Sequence, residues 1–115
     1  MTNDCLFCKI IQKIIPAKVT YEDDIAVAFP DINPQAPIHQ IIIPKQHLAH
    51  LNDIGSEHNA LMGHLLQVAR KLAKDFGIDQ TGYRIVNNCN ADGGQTVFHL
   101  HLHLLGGRCM TWPPG

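Results

Sequence analysis

Nowhere along its 115 residues does the chain gather positive charge: nine lysines and arginines face ten acids, for a formal net charge of −1. A surface for duplex nucleic acid needs a basic stripe to displace the counterions of the phosphate backbone, so no nucleic-acid partner is expected. A small phosphorylated ligand stays open, because backbone amides and imidazoles hold a single phosphate without a basic domain. Long apolar runs are lacking as well. No segment approaches the roughly 20 apolar residues that cross a bilayer, and no membrane partner is expected. The opening stretch, MTNDCLFCKIIQKIIPAK, puts acid before base and scatters lysines through its apolar residues, unlike a signal peptide. Cytoplasm is the expected location. Repeats, low-complexity tracts and linkers are missing too, and the length suits one domain spanning 1–115.

Against these absences stand an ordinary apolar fraction of 45%, enough for a real core, and an unusual eight histidines. Four cysteines in a cytosolic chain suggest metal ligands or free thiols before disulfides.

Periodicity predicts a short helix over Cys5–Ile15, with Phe7, Ile10, Ile11 and Ile14 on its apolar face and Pro16 stopping it. Val19–Glu22 and Ile25–Phe29 are β-prone runs around an Asp23-Asp24 turn. Pro30, Pro34 and Pro37 force an extended loop, and Gln40–Ile43 resumes a strand ended by Pro44. Ser56 is a suitable cap for a helix running to about Phe76, with Leu61, Leu65, Val68, Leu72 and Phe76 as its buried stripe and Gly77 closing it. Gly82–Asn88 and Thr96–Leu105 are the last two strands, joined through a glycine turn over 91–95. Strands that meander, a long helix, then more strands give an α+β fold with an antiparallel sheet.

Phe98-His99-Leu100-His101-Leu102-His103-Leu104-Leu105 alternates apolar and imidazole side chains. On a strand, neighbours point to opposite faces, so Phe98, Leu100, Leu102 and Leu104 would pack under the helix and the three histidines share the other face. Spaced about 6.6 Å apart, they could surround one tetrahedral phosphate. A metal held by all three would need ring nitrogens within about 4 Å of each other, which side chains spread along a strand reach with difficulty. Gly93-Gly94-Gln95-Thr96, just ahead, offers backbone amides, an amide side chain and a hydroxyl as neutral donors to an anion; an ordinary hairpin would use the same glycines. Cys5-Leu6-Phe7-Cys8 is half of a zinc site, with a redox pair as its rival. No strand precedes it, as a thioredoxin-like βαβ unit would require.

From His99 through Leu105 the chain resembles the histidine triad family, whose signature is His-x-His-x-His and two apolar residues. The likeness extends over Phe7…Lys9-Ile10-Ile11, Ile15-Pro16-Ala17, Glu22-Asp23-Asp24, Asp31-Ile32, Pro34-Gln35-Ala36-Pro37 and Gly93-Gly94-Gln95. The ending, Leu105-Gly106-Gly107-Arg108 and Trp112-Pro113-Pro114-Gly115, is similar to the nucleotide-binding branch rather than the branch that cleaves dinucleoside polyphosphates. What the resemblance implies is a five-stranded antiparallel sheet with one long and one short helix, dimerising into a ten-stranded sheet. It implies a hydrolase for phosphorus–nitrogen bonds in adenosine phosphoramidates and aminoacyl-adenylates, with a purine nucleoside monophosphate as ligand and no cofactor needed for catalysis.

By the same resemblance His101 is the nucleophile, adenylylated in the course of reaction, with the His99 carbonyl fixing its tautomer. A neutral imidazole near pH 7 is both a competent nucleophile and a leaving group, and covalent catalysis divides one hard displacement in two. His103 and Thr96 would bind phosphate and meet the departing amine, while Asn88, Gly94 and Gln95 hold phosphate oxygens. The family commonly has serine at the Thr96 position. His39 would buttress His101. Asp31 would accept from the ribose hydroxyls, next to Ile32; Leu6, Phe7, Ile10, Ile15 and Ile41 would enclose the base, and Trp112 would reach a neighbouring site across the dimer. For zinc, the resemblance adds His47 and His99 to Cys5 and Cys8, with His50 as an alternative, in a structural site. His58 and His64 fall on the long helix without chemistry. Rival readings are a dinucleoside polyphosphate hydrolase, a nucleotidyl transferase and a non-catalytic purine nucleotide sensor or scaffold.

Overall fold

The computed structural model describes residues 4–115. In chain order it contains α1 (Leu6–Ile11), β1 (Tyr21–Glu22), β2 (Ala26–Pro30), β3 (Ile38–Pro44), α2 (Asn59–Asp75), β4 (Tyr83–Val86) and β5 (Leu102–Gly106). The strands form one antiparallel sheet in the order β1-β2-β3-β5-β4. This is the expected α+β architecture, with one long and one short helix.

The sheet is covered on both faces because β2 and β3 are apolar at nearly every position. Ala26, Ala28 and Ile42 join Leu100, Leu102 and Leu104 under α2, whose Leu65, Val68, Ala69, Leu72 and Ala73 are buried. Val27, Phe29, Ile41 and Ile43 face the opposite way, onto Phe7, Cys8 and Ile10 of α1. Alternation along a strand thus sends one set of side chains to each helix.

Several boundaries differ from expectation for local reasons. Helix α1 stops at Ile11, since Lys13 turns into the left-handed region (φ 64°), and Ile14 is exposed rather than on the apolar face. Ser56 opens a short 3-10 turn, Ser56–His58, with Gly55 at its cap, and α2 follows it. Phe76, expected in the buried stripe, is exposed beside Gly77, whose φ of 75° closes the helix as foreseen.

The largest difference concerns the last strand. It was expected from Thr96, yet β5 begins at Leu102, because Leu100 gives its N–H to the Leu48 carbonyl (2.6 Å) instead of joining a ladder. Phe98 consequently lies half-exposed and not beneath α2. Only His103 sits in the sheet, paired with Ile41 of β3 on one side and Val86 of β4 on the other.

Candidate active site and the cysteine–histidine cluster

Because His99 and His101 lie outside the ladder, the three imidazoles do not share one face as a regular strand would require. The ring of His101 stacks edgewise near His103, centroids 4.9 Å apart, whereas the ring of His99 turns away toward His47, also at 4.9 Å. A ligand beside His101 would therefore meet two rings of the triad and not three.

Hydrogen bonds define the tautomer of each ring. His101 Nδ1 lies 2.7 Å from the His99 carbonyl, which can only accept, so Nδ1 carries the proton and Nε2 is left with a bare lone pair. The Asn87 side-chain amide in turn donates to the His101 carbonyl (2.9 Å), and Phe7 meets the His101 ring edgewise at 5.1 Å. A second chain of bonds fixes His103. The Gln35 backbone N–H donates to His39 Nδ1 (3.0 Å), which obliges His39 Nε2 to be the protonated nitrogen. That nitrogen donates to His103 Nδ1 at 2.8 Å, so His103 presents an Nε2–H as a free donor. His39 was expected behind His101; it supports His103 instead, with Asp31 Oδ2 at 3.4 Å adding a carboxylate beside it.

Burial keeps this array uncharged. It lowers the pKa of His101 and of His39, and pushes His103 down to about 4, where the neighbouring His101 and His39 add to the effect. Near pH 7 the site holds neutral imidazoles, one with a lone pair and one with a donor at hand.

The third ring belongs elsewhere. His99 is fully buried, and its Nε2 lies 2.8 Å from the Pro44 carbonyl and so bears the proton. Its Nδ1 lone pair is aimed at Cys5 Sγ (3.3 Å), Cys8 Sγ (3.6 Å) and His47 Nδ1 (3.1 Å), and Cys8 Sγ lies 3.3 Å from His47 Nδ1. The four ligating atoms fall within 4.8 Å of one another. Tetrahedral zinc with Zn–N of ~2.05 Å and Zn–S of ~2.3 Å has edges of roughly 3.3–3.8 Å, so the donor set and spacing suit that ion with little movement. His50 does not join this group; its Nδ1 faces Asp53 at 3.9 Å.

Beside the two catalytic candidates opens a cavity of about 520 Å³. Leu6, Phe7, Ile10, Ile15 and Ile41 line it together with Asp31, Ile32, Thr96, His101 and His103. Much of its apolar wall comes from α1 and β3. Asp31 is among the lining residues; its Oδ1 accepts the Asn33 N–H (2.8 Å) in a tight turn, and its Oδ2 lies 3.4 Å from His39 Nε2. Asn88, Gly94, Gln95 and Trp112 do not line the cavity. Gln95 in particular is engaged in its own loop: Oε1 accepts from the Asn90 N–H, and Nε2 donates to the carbonyls of Ala49 and Val97. The Gly94 and Gln95 backbone amides donate to Ala91 and Asn90. Both residues therefore build the turn ahead of the triad and hold no free donor toward an anion, contrary to the role expected for them. Trp112 is exposed on the tail.

Asn87 was not anticipated. Its place beside the His101 carbonyl follows from β4–β5 pairing, in which Val86 opposes His103, and no local pattern announces it.

With this geometry in view, the HIT domain profile matches residues 12–110. A purine nucleoside phosphoramidase of Escherichia coli is 46% identical over 108 residues, covering 94% of this chain and 91% of that protein. An uncharacterized HIT-like protein of Synechocystis is 53% identical over the full length of both. Among solved structures, a HIT family hydrolase from Legionella pneumophila superposes with a TM-score of 0.96 at 55% identity, covering 97% of this chain and 100% of that one. The fold and the paired imidazoles define a histidine triad protein. The chain belongs to the HIT family, and its relatives there include a phosphoramidase and a HIT family hydrolase.

Proposed function

We propose that the protein hydrolyses the phosphorus–nitrogen bond of purine nucleoside phosphoramidates, using His101 as a covalent nucleophile. The observation that carries this reading is the bond from His101 Nδ1–H to the His99 carbonyl, which leaves Nε2 unprotonated at the cavity. The similarity to the E. coli phosphoramidase supports the choice of bond. The base would lie between Leu6, Ile10 and Ile41, and Asp31 would accept from the ribose, placing phosphorus between His101 and His103.

Nε2 then forms a bond to phosphorus as the P–N bond breaks, and the amine leaves with that electron pair and takes a proton by way of Thr96 and solvent. The His103 Nε2–H donates to a phosphoryl oxygen as its charge grows, and a donor already in place costs nothing to reorganise. Water next attacks phosphorus from the side the amine has vacated, opposite Nε2; the bond from phosphorus to Nε2 breaks with its electron pair returning to the ring, the water's proton passes to solvent, and neutral His101 and nucleoside monophosphate result. His101→Ala should lower kcat for an adenosine phosphoramidate by at least about two orders of magnitude, or about 2.7 kcal/mol of barrier. Equal rates in the two proteins would remove the mechanism, while tight AMP binding without turnover in the wild type would make the protein a sensor.

The Cys5, Cys8, His47 and His99 cluster is read as a structural zinc site, outside the chemistry. When bound, the ion supplies a cross-link between α1 and the residue whose carbonyl holds His101. Elemental analysis of protein purified without added metal should find about one equivalent of zinc, and less than a tenth would exclude the site. A cytoplasmic homodimer completes the reading; among the described residues no helix is long and apolar enough to cross a membrane.

A further inference from the structure

Beyond Thr96 the surface falls into a second groove, of about 480 Å³, which shares Leu6, Thr96 and Val97 with the nucleotide cavity. Its remaining walls include Ala49, Phe98 and Asp4. Two of these apolar walls are conspicuously open to solvent, Leu6 at 42% and Phe98 at 48% exposed. Side chains of that size left half-bare beside a reaction centre, Leu6 reaching both cavities and Phe98 only the second, suit a ligand that extends past the reacting atom. We propose that this groove is the subsite for the departing amine, and that it favours amines with an aromatic body and no carboxylate.

The proposal rests on the phosphoramidase reading and specifies its substrate class. With the nucleoside held at the Asp31 end and phosphorus between His101 and His103, the third substituent on phosphorus must leave across Thr96, the one polar side chain common to both cavities. An aromatic ring then lies between Leu6 and Phe98. Among the described residues, the ionisable groups along the groove are Asp4 and two members of the cysteine–histidine cluster, Cys5 and His47. A carboxylate there repels an acidic amine and accepts a neutral or cationic one. Phe98 owes its availability to the early end of the ladder, since a strand reaching back to Thr96 would have turned this ring under α2.

The test compares three adenosine phosphoramidates that differ only in their amine: methylamine, phenethylamine and phenylalanine with its free carboxylate. The wild type should favour phenethylamine over methylamine in kcat/KM by about tenfold or more, as burial of an aromatic ring implies. Phe98→Ala should bring that ratio to within about twofold of unity and leave methylamine turnover unchanged. Asp4→Asn should raise the phenylalanine compound several-fold relative to phenethylamine. A Phe98→Ala protein that keeps the wild-type ratio, or that loses all three substrates alike, overturns the subsite. If the wild type turns over none of them, the phosphoramidase reading fails by itself. The groove is then judged by calorimetry on His101→Ala, where equal affinity for the methylamine and phenethylamine compounds rejects it and tenfold tighter phenethylamine supports it.

Discussion

At the scale of single residues, the site is an exercise in assigning protons. His101, His39, His103 and His99 each have one ring nitrogen committed to a group that only accepts or only donates, or to a ring so committed. Every tautomer follows from a backbone atom. Replacing Asn87 with alanine removes the donor to the His101 carbonyl and leaves that acceptor half-buried, at a cost of roughly 1–2 kcal/mol in stability. Denaturant unfolding reads that loss, and kcat for a phosphoramidate should drop with it by about tenfold as His101 loosens. An unchanged kcat would mean that the His99 carbonyl suffices to place the ring. Replacing His39 with alanine should act differently. It frees His103 Nδ1 to take the proton, so the phosphate-facing Nε2 becomes an acceptor and both kcat and KM worsen. Glutamine at position 39 should not restore them unless its amide reaches the same nitrogen, and the two variants assayed side by side show whether the proton relay or bulk alone matters.

Elements were legible where a short-range rule governs them. The stripe of Leu65, Val68 and Leu72, the closing Gly77 and the apolar runs of β2 and β3 are local patterns, and the structure carries them. The alternation of His99, His101 and His103 pointed to the part of the chain where the candidate site lies but misplaced its geometry. A strand's period is a property of its partner as much as of its sequence, and before Leu102 the partner is the Leu48 carbonyl. The His39–His103 bond spans 64 residues and depends on β3–β5 register, so no window of sequence contains it. His64, expected to be idle on α2, binds Asp23 at 2.7 Å and ties the helix to the β1–β2 turn. Burial alone would raise the Asp23 carboxyl, yet donors from Tyr21, Ile25, Ala26 and His64 hold it well below the usual range. Its stabilising contribution is complete above about pH 4, the value for an unfolded aspartate, and fades only in stronger acid. Asp23→Ala should lower stability by about 2 kcal/mol at pH 7, and a difference under half a kcal/mol by chemical denaturation would show the turn to be self-sufficient.

For the whole molecule, the buried imidazoles set an acid limit. Folded His103 binds its proton only near pH 4, while an unfolded histidine does so near ~6.5. Between those values the unfolded chain holds the extra proton, so stability falls as pH is lowered through that window. Thermal unfolding should show Tm level above about pH 6.5 and declining below it, and a His103→Asn protein should decline less steeply. Quaternary structure is the part least visible in one chain. β1 and β4 are the edges of the sheet, and a ten-stranded sheet of the proposed dimer would continue from one of them. Light scattering should give the mass of two chains at micromolar concentration; one chain's mass would leave the five-stranded sheet complete by itself.

The bond between His101 Nδ1–H and the His99 carbonyl has a spectroscopic use. At 2.7 Å and on a ring only 5% exposed, that proton is shielded from exchange with water and should give its own low-field resonance in a proton NMR spectrum. Its presence would report the reactive tautomer before any substrate is added. Its displacement on titration with AMP would follow the nucleophile's surroundings directly, as a signal belonging to one hydrogen atom.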